Sequence, residues 1–378
     1  MPSYFVAMVL LMATYALFTL TLWYFWSKIP AVVPKIGSPT VKITVIIPVR
    51  NEANHIGALL MDLAQQTYDH NLFEVIIAND GSTDNTSYIL ETFKEKSHLS
   101  LKIIELDQSL KSASPKKRAI ETALKRASGA LIVTTDGDCR VGPGWLASLA
   151  EAYVSTGAKL ISGPVTFIKE TTLTDHLQTI EFSSLIGSGA ASIAAGNPSM
   201  CNGANLAYEK IAFEEVGGFE GNEHIASGDD EFLLHKIAER HPGKIFFLKD
   251  PRSIVRTTPH HKLEVFFQQR KRWASKWKHY KNPVSVTLAV YIFSCNAALL
   301  IAVSLSLFGL LSWPQIATIF LLKWIPEWLF IGTILSFLRK EKSIIYILFV
   351  QVLYPFYVTL FGIVAQKPMY RWKGRELS

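Results

Sequence analysis

Two carboxylates one residue apart, Asp136 and Asp138, end a short apolar run at Thr135-Asp136-Gly137-Asp138. On a tight turn, that spacing lets both share a hard divalent cation while coordination positions stay open to diphosphate oxygens, the usual magnesium or manganese arrangement. The pair alone is also an ordinary solvated turn. A second acidic cluster, Asn79-Asp80-Gly81-Ser82-Thr83-Asp84, lies where a helix should begin and by itself reads as an N-cap and turn residues. Further along stand Ser227-Gly228-Asp229-Asp230 and the basic, aromatic run QRKRWASKWKHY from Gln269. His260 and His261 follow Pro259 without matching ligands and read as loop histidines. There is no P-loop and no Ser-His-Asp arrangement. Cys139, Cys201 and Cys295 are far apart with no CxxC pairing, which fits a reduced compartment without zinc or disulfides.

The elements that must carry these groups alternate. KITVIIPV, FEVIIAND and ALIVTTDGD are apolar strands that end in polar residues, and HIGALLMDLAQQ, TSYILETFKEK and KKRAIETALKRA have helical periodicity. Strand and helix in turn imply an α/β fold with a covered parallel sheet. Ligands of such sheets sit beyond the carboxyl ends of the strands, where the acidic clusters fall. From Leu177 to Ala195 the chain is apolar and small, with no charge after Glu181, and three readings stand: a core helix, an interfacial helix or a re-entrant element.

The 378 residues are 49% hydrophobic with a formal charge of +7, and the apolar residues gather at the two ends. Residues Tyr4 to Trp26 hold no charge and are long enough to cross a bilayer. Val284 to Trp313, Gln315 to Leu338 and Ser343 to Gln366 follow as further membrane segments. Basic residues flank them at Lys28, Lys35, Arg270 to Lys281, Arg339 to Lys342 and Lys367 to Arg375. Such flanks accumulate on the cytoplasmic side, so the charge reflects membrane topology, and no basic stripe for nucleic acid is present. Four full crossings conflict with a basic tail that prefers the inside, so one segment is a candidate re-entrant element with Pro326 or Pro355 at the break. Lys323 and Glu327 share a helix face, either paired inside a bundle or with the lysine snorkelling. The expected division is a helix over 1–27, a catalytic domain over 40–283, membrane segments over 284–366 and a basic tail over 367–378.

The runs VIIPVRNEANHI, ANDGSTDNT, TTDGDC, CNGANLAYEKIAFEEVGGFEG, SGDDEFL and QRKRW resemble, in order and approximate spacing, the membrane-bound family 2 glycosyltransferases. That group includes cellulose, hyaluronan and poly-N-acetylglucosamine synthases and ceramide glucosyltransferases, and the resemblance covers about Lys42 to Trp273. It implies a GT-A, Rossmann-like nucleotide-diphospho-sugar transferase domain with flanking transmembrane helices. Pro48, Glu52 and Asp80 would bound the uridine pocket and Lys116 would approach the donor. Asp136 and Asp138 would form the DxD-like motif for Mg²⁺ or Mn²⁺, with Asp138 the more direct metal ligand. Asp230 looks like the general base, and Asp229 stands where the family usually has Glu. Gln269, Arg270, Arg272 and Trp273 lie at the QxxRW-like segment over the diphosphate and acceptor end. Asn202, Gly203 and Asn205 resemble the acceptor-side turn, with a structural turn as the equal reading.

Inverting transfer needs a carboxylate to take the acceptor proton on one face, and metal plus arginine to receive the leaving diphosphate on the other. The implied reaction moves a sugar from a UDP-sugar to a membrane lipid or a lipid-linked or growing glycan. The implied location is the inner or plasma membrane with a cytoplasmic catalytic domain. The few C-terminal membrane segments tilt the acceptor towards a lipid. Two alternatives are a polyprenyl-phosphate glycosyltransferase, which needs no base, and a non-catalytic nucleotide-sensing transporter or scaffold.

Overall fold

The computed structural model describes residues 2–30, 39–109, 112–275, 283–364, 370–372 and 375–377. Lys35, Lys367 and the basic stretch 276–282 lie outside them. In chain order the chain forms α1 (Ser3–Lys28), β1 (Ile43–Val49), α2 (Ile56–Ala64), β2 (Phe73–Asn79), α3 (Thr86–Lys96) and β3 (Leu101–Glu105). There follow α4 (Pro115–Leu124), β4 (Leu131–Thr134), α5 (Trp145–Thr156), β5 (Leu160–Ser162), β6 (Val165–Phe167), α6 (Leu173–Ala194), β7 (Leu206–Glu209) and α7 (Lys210–Glu215). Last come α8 (Glu231–Arg240), β8 (Ile245–Phe247), β9 (Val255–Thr257), α9 (Leu263–Ser275), α10 (Pro283–Leu307), α11 (Trp313–Phe337) and α12 (Ile347–Val364).

Two compact units result. The first contains all nine of these strands with α2–α5, α7 and α8. Its seven-stranded sheet has the order β3-β2-β1-β4-β7-β5-β8. The first four strands run parallel, and β7 is antiparallel to both β4 and β5. The expected parallel α/β sheet is therefore present, with β1 central because ITVIIPV is apolar on both faces. Sequence patterning passed over β3, an edge strand with alternating exposure, and the antiparallel β7. Ile46, Ile76, Ile104, Ile120, Tyr208 and Leu233 belong to one continuous core.

Within this sheet Glu74 is buried and holds the edge together. Its carboxylate accepts from Thr44 Oγ1 at 2.8 Å, from Ser128 N at 2.7 Å and from Lys102 Nζ at 2.6 Å. Burial pushes its pKa up, but the Lys102, Ser128 and Thr44 bonds more than reverse this and depress it from 4.5 to about 2. A depressed carboxylate contributes stability above its unfolded pKa and loses it as pH falls through the folded one. That depression sets an upper bound of about 3 kcal/mol at neutral pH, reduced by solvent screening at the half-exposed Lys102 and lost between pH 4.5 and about 2. Glu74→Gln is thus expected to unfold more easily at pH 7, with its deficit shrinking as the medium is acidified through this window. Denaturant unfolding of the full chain at several pH values checks this, and a deficit that does not depend on pH refutes it.

The second unit contains α1, α6 up to Ala191 and α9–α12. Among the described residues, four helices are long and apolar enough to cross a membrane: Ser3–Lys28, Val286–Leu307, Trp313–Phe337 and Glu341–Val364. Helix runs on through both Pro326 and Pro355, the residues expected to mark a break. The segment read three ways from sequence is helix α6, packed so tightly on α11 that a Cβ on Gly187 would stand 1.9 Å from Ile334 Cδ1. Lys323 is fully buried, its Nζ 2.8 Å from Glu327 Oε2, and the Tyr15 hydroxyl of α1 donates to the same carboxylate. The pairing reading therefore holds over snorkelling: a charge in hydrocarbon is costly unless it is matched inside the bundle.

Candidate active site

The loops after β1 and β2 are laced together at the carboxyl end of the sheet. Asn51 adopts φ 54°, a left-handed conformation that asparagine tolerates, and its Oδ1 accepts from Thr83 N at 2.8 Å. Its own N–H donates to Ser82 Oγ at 2.9 Å, the N–H of Ala53 to Asp84 Oδ2 at 3.1 Å, and that of Glu52 to Thr86 Oγ1 at 2.8 Å. Pro48, in β1, lies beside Ala78 of β2. Glu52 and Asp80 are both buried. The DxD-like turn meets this layer, for a Cβ on Gly137 would stand 2.9 Å from Glu52 Cγ, so only glycine fits.

The first turn of α4 gathers the remaining groups. Pro115 opens the helix, where its missing N–H costs nothing, and Lys116, Lys117 and Arg118 follow directly. Three cations at the positive end of a helix dipole are unfavourable unless anions meet them. Lys116 Nζ lies 2.8 Å from Asp136 Oδ1 and 3.2 Å from Asp229 Oδ2. Arg118 Nη2 lies 2.8 Å from Asp80 Oδ1. Lys117 is buried, donates to the carbonyls of Asn222 and Ile225 at 2.7 and 2.9 Å, and lies over the Phe232 ring. Burial pushes the Lys116 ammonium down, and the carboxylates of Asp136 and Asp229 more than reverse it, so it stays charged.

Asp230 is the N-cap of α8. Its Oδ1 accepts from Glu231 N at 2.8 Å and its Oδ2 from Gly203 N at 3.0 Å, so two backbone donors at a helix start orient the carboxylate. A Cβ on Gly203 would lie 3.1 Å from Asp229 Oδ2 and 3.4 Å from Lys116 Nζ, which leaves a bare backbone between these groups. Asn202 Oδ1 accepts from Ala204 N at 2.9 Å and closes this turn. Asn205 is fully buried: Oδ1 accepts from Trp145 Nε1 at 3.0 Å, and Nδ2 donates to the carbonyls of Pro164 and Ser253, both at 2.8 Å. With its side chain engaged by protein, Asn205 holds the turn in place.

Gln269, Arg270, Arg272 and Trp273 lie on α9, in the unit of apolar helices. Arg270 is 3% exposed, and its Nε donates to both oxygens of Glu181 at 2.9 Å. That guanidinium is already satisfied by protein, while Gln269 and Trp273 flank it. Sequence reasoning passed over Arg118, Glu181 and Arg50, whose Nη1 donates to the carbonyls of Asp80 and Gly81. A cationic triplet directly after a helix-opening proline was the one signal that pointed to Arg118.

Among the described residues, no group of three or more His, Cys, Asp or Glu is gathered as a metal cluster. Asp136 and Asp138 nevertheless fit a hard cation that takes one or two carboxylates and completes its shell with substrate phosphate. The Asp136 carboxylate is 38% exposed. Ser114 Oγ, at the start of α4, is buried without a protein partner, as expected at the wall of a polar ligand site.

Cations and carboxylates converging at the carboxyl end of a mostly parallel sheet define a GT-A-like nucleotide-sugar transferase fold. The profile described as Glycosyl transferase family group 2 matches residues 131–362, and that of Glycosyl transferase family 2 matches residues 44–217. The chain belongs to this family. It is 30% identical over 188 residues to glycosyltransferase AglE of Haloferax volcanii, covering 50% of this chain and 58% of that protein. It is 25% identical over 239 residues to poly-beta-1,6-N-acetyl-D-glucosamine synthase of Staphylococcus epidermidis, covering 61% of this chain and 53% of the relative. The chain thus spans somewhat over half the length of these curated relatives. The fold is similar to that of mannosyltransferase PcManGT from Pyrobaculum calidifontis, solved with GDP-Man and Mn2+, with a TM-score of 0.58 at 21% identity over 93% of this chain and 98% of that one.

Proposed function

We propose that the chain transfers a sugar from a UDP-sugar to a hydroxyl of a membrane lipid, or of a lipid-linked or growing glycan, by single displacement with inversion at the cytoplasmic face of a membrane. The observation that carries this reading is the first turn of α4, where Lys116 joins Asp136 to Asp229 and Arg118 binds Asp80. One helical turn thereby links the second strand end, the DxD-like turn and the SGDD segment.

In the reaction the acceptor oxygen bonds to the anomeric carbon, its proton passes to Asp230, and the bond to the diphosphate breaks with its electron pair leaving on the nucleotide. Pro48, Glu52 and Asp80 bound the base and ribose. Lys116 sits among the carboxylates as a fixed positive charge beside the departing phosphates. Mg²⁺ or Mn²⁺ held by Asp138 and Asp136 supplies charge neutralisation of the leaving group when bound. Asn202 and Gly203 shape the acceptor side. Gln269, Arg272 and Trp273 serve the diphosphate and acceptor end, the guanidinium by paired hydrogen bonds and the indole by its flat face.

The test is detergent-solubilised full chain incubated with UDP-sugars, GDP-mannose and a membrane lipid extract, followed by mass analysis of products. Nucleotide diphosphate release that needs both acceptor and cation is expected, with chelation lowering the rate at least ~100-fold. The mass of the product separates one added sugar from many. If none of the donors is consumed in the presence of cation and lipid, the proposal fails.

A further inference from the structure

We infer that α6 carries a positioning stripe, Asp175, Gln178 and Glu181, that holds the QRKRW segment in working geometry, with Glu181 acting through Arg270 on Gln269 and Trp273. The inference rests on the reading of Gln269, Arg272 and Trp273 given above.

Residues three apart along a helix share a flank, so these three side chains form one line along the amino-terminal half of α6. Gln178 and Glu181 hydrogen-bond the segment that leads into or builds α9, and Asp175 lies within ion-pair distance of its start. Asp175, fully buried and anchored by the N–H groups of Thr171 and Thr172 at 2.9 Å, has its Oδ1 3.4 Å from His261 Nδ1. Gln178 brackets the His260 backbone, donating to its carbonyl at 3.0 Å and accepting from its N–H at 3.1 Å. Glu181 takes the Arg270 guanidinium side-on and accepts from the Tyr357 hydroxyl of α12 at 2.5 Å.

Arg270 passes this restraint on to the motif. Its Nη1 donates to Gln269 Oε1, and its guanidinium lies 4.4 Å from the Trp273 ring centroid and 4.5 Å from that of Phe266. Phe182, next to Glu181, stacks on Trp273 with ring centroids 6.0 Å apart. Replacing a buried ion pair by apolar side chains is often neutral or stabilising, so net stability is a weak reason to keep one here. Orientation is the stronger reason: a planar guanidinium gripped along one edge presents its remaining N–H groups and face in one direction only.

The test uses the full chain in detergent with Glu181→Gln, Arg270→Gln, the double variant and Tyr357→Phe. Glu181→Gln is expected to lower kcat about tenfold while donor KM moves less than about twofold, since misplacing a motif by a fraction of an ångström acts on turnover. The double variant is expected to be no worse than Arg270→Gln within about twofold, because Glu181 acts only through that arginine. Tyr357→Phe, which keeps the ion pair, is expected to give a smaller loss. Unchanged kcat in Glu181→Gln, or losses that multiply in the double variant, overturns the inference. Amide hydrogen exchange across Leu263–Trp273 tests the stripe without any transfer assay: faster exchange in Glu181→Gln supports it and unchanged exchange refutes it. Arg272→Gln that retains full activity would instead sink the reading of the motif while leaving the exchange result standing.

Discussion

Asp230→Asn is expected to lower turnover by ~10²–10⁴-fold, the range typical of losing a general base. The substitution preserves shape, and one amide oxygen can still accept from the Glu231 or Gly203 N–H. Donor binding should therefore persist, with KM for the nucleotide sugar within about threefold of the original, because the group removed acts on the acceptor proton and not on the donor. Initial rates at saturating donor, together with calorimetric binding of the nucleotide, separate the two quantities. A variant within about tenfold of the parent rate would remove Asp230 from the role of base. Loss of rate and donor binding together would move it to the donor side.

Lys116→Met is expected to have the next largest effect, a fall in kcat/KM of about 100-fold or more, through both donor affinity and turnover. The methylene stem is retained and the charge is lost, leaving Asp136 and Asp229 facing each other's field without the ammonium that now lies 2.8 and 3.2 Å from them. Two uncompensated carboxylates repel the diphosphate the site is proposed to receive. Lys116→Arg keeps the charge but brings a planar fork into a space lined by the bare backbone of Gly203, so an intermediate loss is expected. Nucleotide titration and steady-state rates on the three proteins check the order. If Lys116→Met binds donor as tightly as the parent, the lysine is a structural strut alone.

The strand cores were legible because VIIP, FEVII and LIVT are apolar runs bounded by polar turns, and a parallel sheet places such turns on one edge. Asp80, Asp136 and Asp138 could be placed for the same reason. Arg118 could not, since its partner Asp80 is 38 residues away and only the docking of α4 brings them together. The clash of a Lys-Lys-Arg triplet with the positive end of a helix was visible, and local conflicts of that kind mark sites where an outside partner is required. Asn205 carried two equal readings from sequence, acceptor binding and a structural turn, because the contacts that engage its side chain come from Trp145, Pro164 and Ser253, none of them near in sequence. Arg270 stood inside a functional motif, and nothing local distinguished it from Arg272. Only Glu181, 89 residues earlier, does so.

The Tyr15–Glu327 bond spans 312 positions of the chain. In chain order α1 comes long before α11, so the Tyr15 hydroxyl precedes its acidic partner by most of the sequence. Glu327, arriving late with Lys323 one turn away, finds both its cation and its donor ready inside the bundle. An amino-terminal deletion that removes α1 therefore takes the Tyr15 donor from Glu327 and is felt in the packing of α11, at the far end of the chain.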